Sequence, residues 1–174
     1  AADSVRIVDL HGTGTGGVLW SSDRSPSMYF LDLTGGVKPR LLEEMDNNIG
    51  LHTRVRYEPS TRHRLRDEAR QRTRWRTPMP FVVPVVAAVE SLDLISGTKL
   101  TSEYRYHHGY WDGQEREFRG FGRVDQFDTT VFDDYHGPGL HPDHPAAALA
   151  PEEFSPRTET RTWYHLGPVD PTGD

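Results

Sequence analysis

Glycine and proline recur so often along this chain that no long helix can form: 16 glycines and 13 prolines punctuate 174 residues. Proline removes an amide donor and clashes with the preceding turn, and glycine loses the most backbone freedom on folding. Between these breaks lie short stretches in which apolar and polar residues alternate with period two, the pattern of half-buried strands. The expected fold class is mainly β, antiparallel, with about eight strands and at most one short helix.

The strands can be placed one by one. Val5, Ile7 and Val8 enter the run Gly12 to Gly17, and Val18, Leu19 and Trp20 resume a strand beyond it. Met28 to Leu33 predicts another, closed by Gly35-Gly36. Leu41, Leu42 and Met45 predict a single helical turn, stopped by Asn47, Asn48 and Gly50. In the strand from Thr53, Val55 and Tyr57 face one way and Arg54, Arg56 and Glu58 the other. Arg62 to Arg72 is the one predicted helix, short and without a clear apolar face. Pro78, Pro80 and Pro84 lead into a strand over Val82 to Val89, which must keep its prolines at an edge or at its start. Leu92 to Ile95 and Leu100 to His107 read as a hairpin turning at Ser96-Gly97. Glu117 to Phe118 and Gly122 to Phe127 read as a further pair, Thr129 to Phe154 as loop, and Arg157 to Leu166 as the last strand. Asp170-Pro171-Thr172-Gly173 reads as a turn.

Composition narrows the chemistry. Only 34% of residues are apolar, against 26% charged, and there is no cysteine, which excludes disulfides and thiolate catalysis. No apolar run approaches the roughly 18 residues that a membrane span needs, so no direct membrane insertion is expected. Ala1 to Val8 lacks the basic-then-apolar order of a signal peptide; export is either handled by another part of a longer polypeptide or absent. The net charge of −6 is uneven. Arg54, Arg56, Arg62, Arg64, Arg66, Arg70, Arg72, Arg74 and Arg76 face only Glu58, Asp67 and Glu68, so this segment carries +6 and the remainder −12. Such a cluster, with Tyr57 and Trp75, could grip phosphates and stack bases. A net acidic chain without a nucleic-acid fold signature argues instead for pairing with acidic strands of the same sheet or holding acidic cargo, and no nucleic-acid partner is expected.

The candidate reactive groups also have structural readings. His136, His141 and His144 lie in HGPGLHPDH near Asp133, Asp134 and Asp143, but their spacing matches no strong zinc motif, and prolines stiffen what reads as a surface loop. Alanine at any of the three is expected to leave assembly intact. His107 and His108 are adjacent and point to opposite faces of a strand. Asp112-Gly113 signals a turn, and Glu115 and Glu117 interleave with Arg116 and Arg119 as ion pairs do, so no catalytic set, metal centre or cofactor is expected. Tyr110, Trp111, Trp163 and Tyr164 could stack on sugars, which leaves an extracellular β-type module that binds a glycan or surface protein as the alternative function.

Tyr104 to Phe127 reads YRYHHGYWDGQEREFRGFGRVDQF. This string resembles the start of the Rhs/YD-repeat region in the B component of insecticidal toxin complexes (Tc toxins). Tyr104, Tyr106, Gly109, Tyr110, Gly113, Gly120, Phe121 and Gly122 carry the likeness. RVRYEPST at Arg54 to Thr61, TPMPFVVPVVAAVE at Thr77 to Glu90 and TRTWYHLG at Thr160 to Gly167 extend it over roughly Leu31 to Gly167. DLHGTGTGG at Asp9 to Gly17 is similar to the D-x-N-G-D-G-x-x-D calcium loop of propeller blades. The ligand positions hold Asp9, His11, Thr13 and Gly17, and a single carboxylate holds calcium poorly. A glycine-rich turn is expected there.

The resemblance implies a secreted, non-catalytic shell protein. Residues 1–46 would end a β-propeller, and 47–174 would be the first shell strands, with a Pro/His-rich loop at 129–156. The propeller would dock on the pore-forming A component. The repeats, with those of the C component, would enclose a toxic C-terminal enzyme. A shell has two solvated faces, so its strands need no continuous apolar face.

Overall fold

The computed structural model describes residues 4–70, 74, 75, 77, 79–128, 135–144 and 146–167. The Asp170-Pro171-Thr172-Gly173 turn, Arg72, Arg76, Pro78, Asp133, Asp134 and Pro145 lie outside the described residues. The chain is mainly β, and every strand pairing is antiparallel.

A first sheet holds β1 (Ser4–Val8), β2 (Gly17–Ser21) and β3 (Met28–Asp32) in that order. Trp20 lies opposite Tyr29 and stacks on it, with ring centroids 5.6 Å apart. The turn before β2 folds onto Asp9, whose carboxylate accepts the Thr13 and Gly14 amides at 3.0 and 2.7 Å. Gly12 and Gly14 sit at φ 63° and 82°, where a side chain would be strained.

The second sheet is a six-stranded meander: β4 (Glu44–Asp46), β5 (Leu51–Pro59), β6 (Pro84–Asp93), β7 (Lys99–Asp112), β8 (Glu117–Asp128) and β9 (Thr158–Trp163). Helix α1 (Ser60–Ala69) follows β5 directly and packs against β5 and β7. Thr61 Oγ1 donates to the Gly12 carbonyl, which ties the first turn to the helix, and Lys38 Nζ donates to the Gly14 carbonyl at 2.9 Å.

Three expectations need correction. Leu41, Leu42 and Met45 form no helical turn; Met45 lies in β4, opposite Thr53. The Asn47 side chain accepts the Ile49 and Leu51 amides, both at 2.9 Å, with Asn48 at φ 60° and Gly50 at φ 108°. These residues close a hairpin rather than stop a helix, and the hairpin brings 44–46 alongside β5. Secondly, Val82 to Val89 and Leu92 to Ile95 are not separate strands, since β6 runs unbroken from Pro84 to Asp93 with proline at its start. Leu94 and Ile95 belong to the turn, where Asp93 accepts the Ile95 amide. Thirdly, Glu117 to Phe127 is one strand, because the ladder shifts register beside Tyr110 and continues past Gly120, at φ 96°. Nine strands result among the described residues.

The interior is more polar than apolar. Trp75, Val85, Ala87, Ala88, Leu92 and Tyr135 are its buried hydrophobic residues, alongside buried Glu58, His63, Asp67, Glu90, Lys99, His107, Asp125 and His141. The face that α1 buries consists of Ser60, His63 and Asp67, spaced three and four apart. This is why the sequence shows a helix without an apolar stripe. Apolar side chains of the first sheet lie open instead: Val5, Ile7, Met28 and Leu31 are all exposed. No helix among the described residues is long and apolar enough to cross a membrane.

Candidate functional site

Buried charge is tolerated only when paired and hydrogen-bonded, and here it gathers in two networks on the six-stranded sheet. The first joins α1 to β7 and β8. His107 Nδ1 lies 2.9 and 2.8 Å from the two Asp67 oxygens, and its Nε2 lies 3.1 Å from Asp125 Oδ2. Trp75 Nε1 donates to Asp67 Oδ2 at 2.7 Å, and Arg123 Nε lies 2.9 Å from Asp125 Oδ1. Burial would raise the Asp67 carboxyl, but the hydrogen bonds from His107 and Trp75 outweigh it and hold it below the usual carboxylate range.

Beside this bridge, His63 Nδ1 accepts the Tyr106 amide at 3.3 Å. Burial, opposed mainly by the Glu58 carboxylate, pushes the His63 imidazole down to about 4, so it is neutral near pH 7. The Glu58 carboxylate at the end of β5 gathers Arg56, Arg62 and Arg66 at 2.8, 3.1 and 3.0 Å. Burial opposes its ionisation, yet Arg66, Arg56 and Arg62 hold its carboxyl below the ordinary value. A cavity of 310 Å³ opens against Arg56, Glu58, His63, Arg66, Asp67 and His107.

Of the arginine cluster, Arg54, Arg56, Arg62, Arg64 and Arg66 are thus committed within the chain. Arg64 pairs with Glu68 at 3.6 Å, and Arg54 donates to the Leu140 carbonyl at 2.9 Å. Such an array can lock a helix onto a sheet. Among the described residues it offers neither a nucleophile beside a base nor a row of free guanidinium groups along one groove.

The second network holds the Pro/His-rich loop on the sheet. Glu90, on β6, accepts the Leu140 and His141 amides at 2.8 and 3.0 Å, His141 Nδ1 at 2.9 Å and Thr101 Oγ1 at 3.0 Å. Lys99 donates to the Gly137 carbonyl at 2.9 Å. Gly139, at φ 51°, lies so close that a Cβ there would come within 2.8 Å of Glu90 Oε1. His141 is only 1% exposed. This corrects the reading of the segment as a plain surface loop: His141 is a buried partner of Glu90, while His136 and His144 lie exposed. The three histidines do not converge.

The aromatic and glycine motif forms one ladder. Tyr104, Tyr106, Gly109 and Tyr110 lie on β7, opposite Gln126, Val124, Phe121 and Gly120 on β8. Gly113 sits in the turn between the strands, where Asp112 accepts the Gln114 and Glu115 amides at 3.0 and 3.1 Å and pairs with Arg119. Phe121 packs 4.9 Å from Tyr106 and 6.0 Å from Trp75, centroid to centroid. Gly109 and Gly122 serve close approach rather than bending. A Cβ at Gly109 would come within 2.7 Å of the Trp75 ring, and one at Gly122 within 3.3 Å of His108 Cβ.

Of the sugar-stacking candidates, Trp111 packs edge-on against Phe81 at 5.1 Å, whereas Trp163 and Tyr164 are exposed on and beyond β9. Asp9, at the similar-to-calcium loop, spends its oxygens on backbone amides. Sequence reading missed Glu58, Asp67, Glu90 and Asp125 as buried organisers. Only Asp67 had a sequence signal, its placement with Ser60 and His63 on one side of the helix.

Residues 1–136 match the family described as the insecticide toxin TcdB middle/N-terminal region. Among solved structures, the chain is similar to the TcdB2-TccC3 crystal structure, with TM-score 0.69 and 37% identity over 92% of this chain and 7% of that one. The crystal structure of TcdB2-TccC3 without the hypervariable C-terminal region gives TM-score 0.70 and 36% identity over 94% and 7%. The Photorhabdus luminescens Tc holotoxin pore, with a mutated TccC3, gives TM-score 0.71 and 36% identity over 93% and 7%. The chain thus spans about 7% of the length of the structures it matches. No curated protein sequence matches it.

Proposed function

The chain belongs to the family of the insecticide toxin TcdB middle/N-terminal region, a part of the B component of insecticidal toxin complexes, and from that footing we propose that it is a non-catalytic wall segment that helps enclose and deliver a toxic C-terminal effector. In this reading residues 1–46 end a β-propeller, and 47–174 begin an Rhs/YD-type shell. The partners are the C component, which completes the shell, and the pore-forming A component on the propeller side. The place of action is extracellular, within a larger toxin.

The observation that carries the reading is the exposed outer strand. β9 is paired to β8 on one side, and all six of its residues are exposed, Trp163 among them at 67%. Among the described residues no strand pairs with its other side, and an exposed edge of this kind invites another strand. The open apolar side chains of β1 and β3 fit a neighbouring sheet in the same way.

The test is co-expression of the full polypeptide with a C-component protein, followed by limited proteolysis. Co-purification with a protease-protected effector is expected. Glu159→Pro with Arg161→Pro, whose amides point to the open edge of β9 while those of Thr160 and Thr162 face β8, should leave the effector open to cleavage. A chain that melts cooperatively as a monomer and binds glycans through Trp163 and Tyr164 would overturn the reading.

A further inference from the structure

Among the described residues the imidazoles of His52, His63 and His141 each bury one nitrogen without a hydrogen-bond partner, and the His52 and His141 rings lie side by side. His52, on β5, binds Glu44 Oε1 through Nε2 at 2.7 Å, which leaves Nδ1 buried and unpartnered. His141 binds Glu90 Oε1 through Nδ1 at 2.9 Å, which leaves Nε2 buried and unpartnered. A carboxylate accepts hydrogen bonds and does not donate them, so in the neutral ring the bound nitrogen carries the proton and the remaining nitrogen carries a lone pair. Two lone pairs cannot satisfy one another; they need a shared donor or a Lewis acid.

The geometry selects between these. Two imidazoles on one tetrahedral ion, with metal–nitrogen bonds of about 2.0–2.1 Å, have ring centres about 5 Å apart. The His52 and His141 centroids are 5.3 Å apart, with the planes tilted by 59°. A carboxylate on the far nitrogen of each ring is also the usual support of a metal-bound histidine, since it fixes the tautomer and raises the basicity of the ligand. His141 has no side-chain exposure and His52 has 13%, so both rings are held in place. Nearby charge is balanced: Glu44 and Glu90 face Arg54, which also lies 3.7 Å from Glu44, and Lys99.

We propose that His52 and His141 form a two-imidazole site for a divalent transition-metal ion that prefers nitrogen ligands, with Zn²⁺ as the probe and water in the remaining positions. The ion clips the Pro/His-rich loop to β5, 89 residues earlier in the chain, beside the grip of Glu90 on the same loop. The sequence motif pointed elsewhere: neither His136 nor His144 takes part.

The experiment titrates metal-stripped full-length protein with Zn²⁺ by calorimetry, and with Co²⁺ followed by its visible absorption. The wild type is expected to bind one more equivalent than His52→Gln, with His136→Gln and His144→Gln unchanged. Glu44→Gln, at an exposed position, should keep the site and weaken it about 10- to 100-fold. If His52→Gln does not fold, the Glu44→Gln comparison decides alone. Equal stoichiometry and affinity in wild type, His52→Gln and Glu44→Gln would overturn the proposal and leave a bridging water as the shared donor.

Discussion

His107 Nδ1 on β7 lies within 2.9 Å of both carboxylate oxygens of Asp67, forty residues earlier on α1. One imidazole thereby binds the helix to the sheet and, through its other nitrogen, binds β7 to Asp125 of β8. Asp67→Ala strips two buried donors, His107 and Trp75, of their acceptor. A loss of about 3–5 kcal/mol is expected, read as a lowered Tm and faster amide exchange across α1. Asp67→Asn, which keeps an acceptor for Trp75, should cost less.

Acid should loosen the same region before it reaches the carboxylates. His63 titrates at about 4 in the fold, against 6.5 for an unperturbed imidazole. Between these values the unfolded chain binds the extra proton, so stability falls as pH drops from about 6.5 to about 4. The loss is about 3 kcal/mol over the window. Glu58, Asp67 and Glu90, whose carboxyls are lowered, withdraw further stability below that range. Unfolding midpoints measured at pH 7, 6, 5 and 4 should decline, and His63→Gln should flatten the upper part of the decline.

Two motif glycines should respond unequally. Gly109→Ala drives a methyl group against Trp75 and Met79 and should cost about 1–3 kcal/mol. Gly113→Ala meets nothing within 4 Å, at a position without positive φ, and should change the melting temperature little. Equal effects in a thermal melt would contradict the close-approach role assigned to Gly109.

Glu90→Ala should release the loop. It leaves the Leu140 and His141 amides and the His141 ring without their acceptor, at about 3–5 kcal/mol. Proteolysis between residues 135 and 147 should quicken more than cleavage at the Asp112 turn.

Strand content was legible because alternation survives in β5 and β7, where Val55 and Tyr57, or Tyr104 and Tyr106, oppose arginines. The glycines that carried the family likeness fell into one ladder for the same reason. The missing part was everything held by polar burial. Hydrophobic periodicity cannot reveal a helix that buries Ser60, His63 and Asp67, nor a loop held down by Glu90. Glu90 lies mid-strand among valines and alanines, and its four hydrogen bonds come mainly from residues 50 and 51 positions away. Nor does local sequence show that Asn47 turns the chain into a hairpin, since the same Asn-Asn-x-Gly ends helices elsewhere.

A seam closed by ions rather than oil has a calorimetric consequence. Unfolding exposes comparatively little apolar and much polar surface, and the two shift heat capacity in opposite directions. The stability curve is therefore shallow, so warming alone erodes this segment slowly.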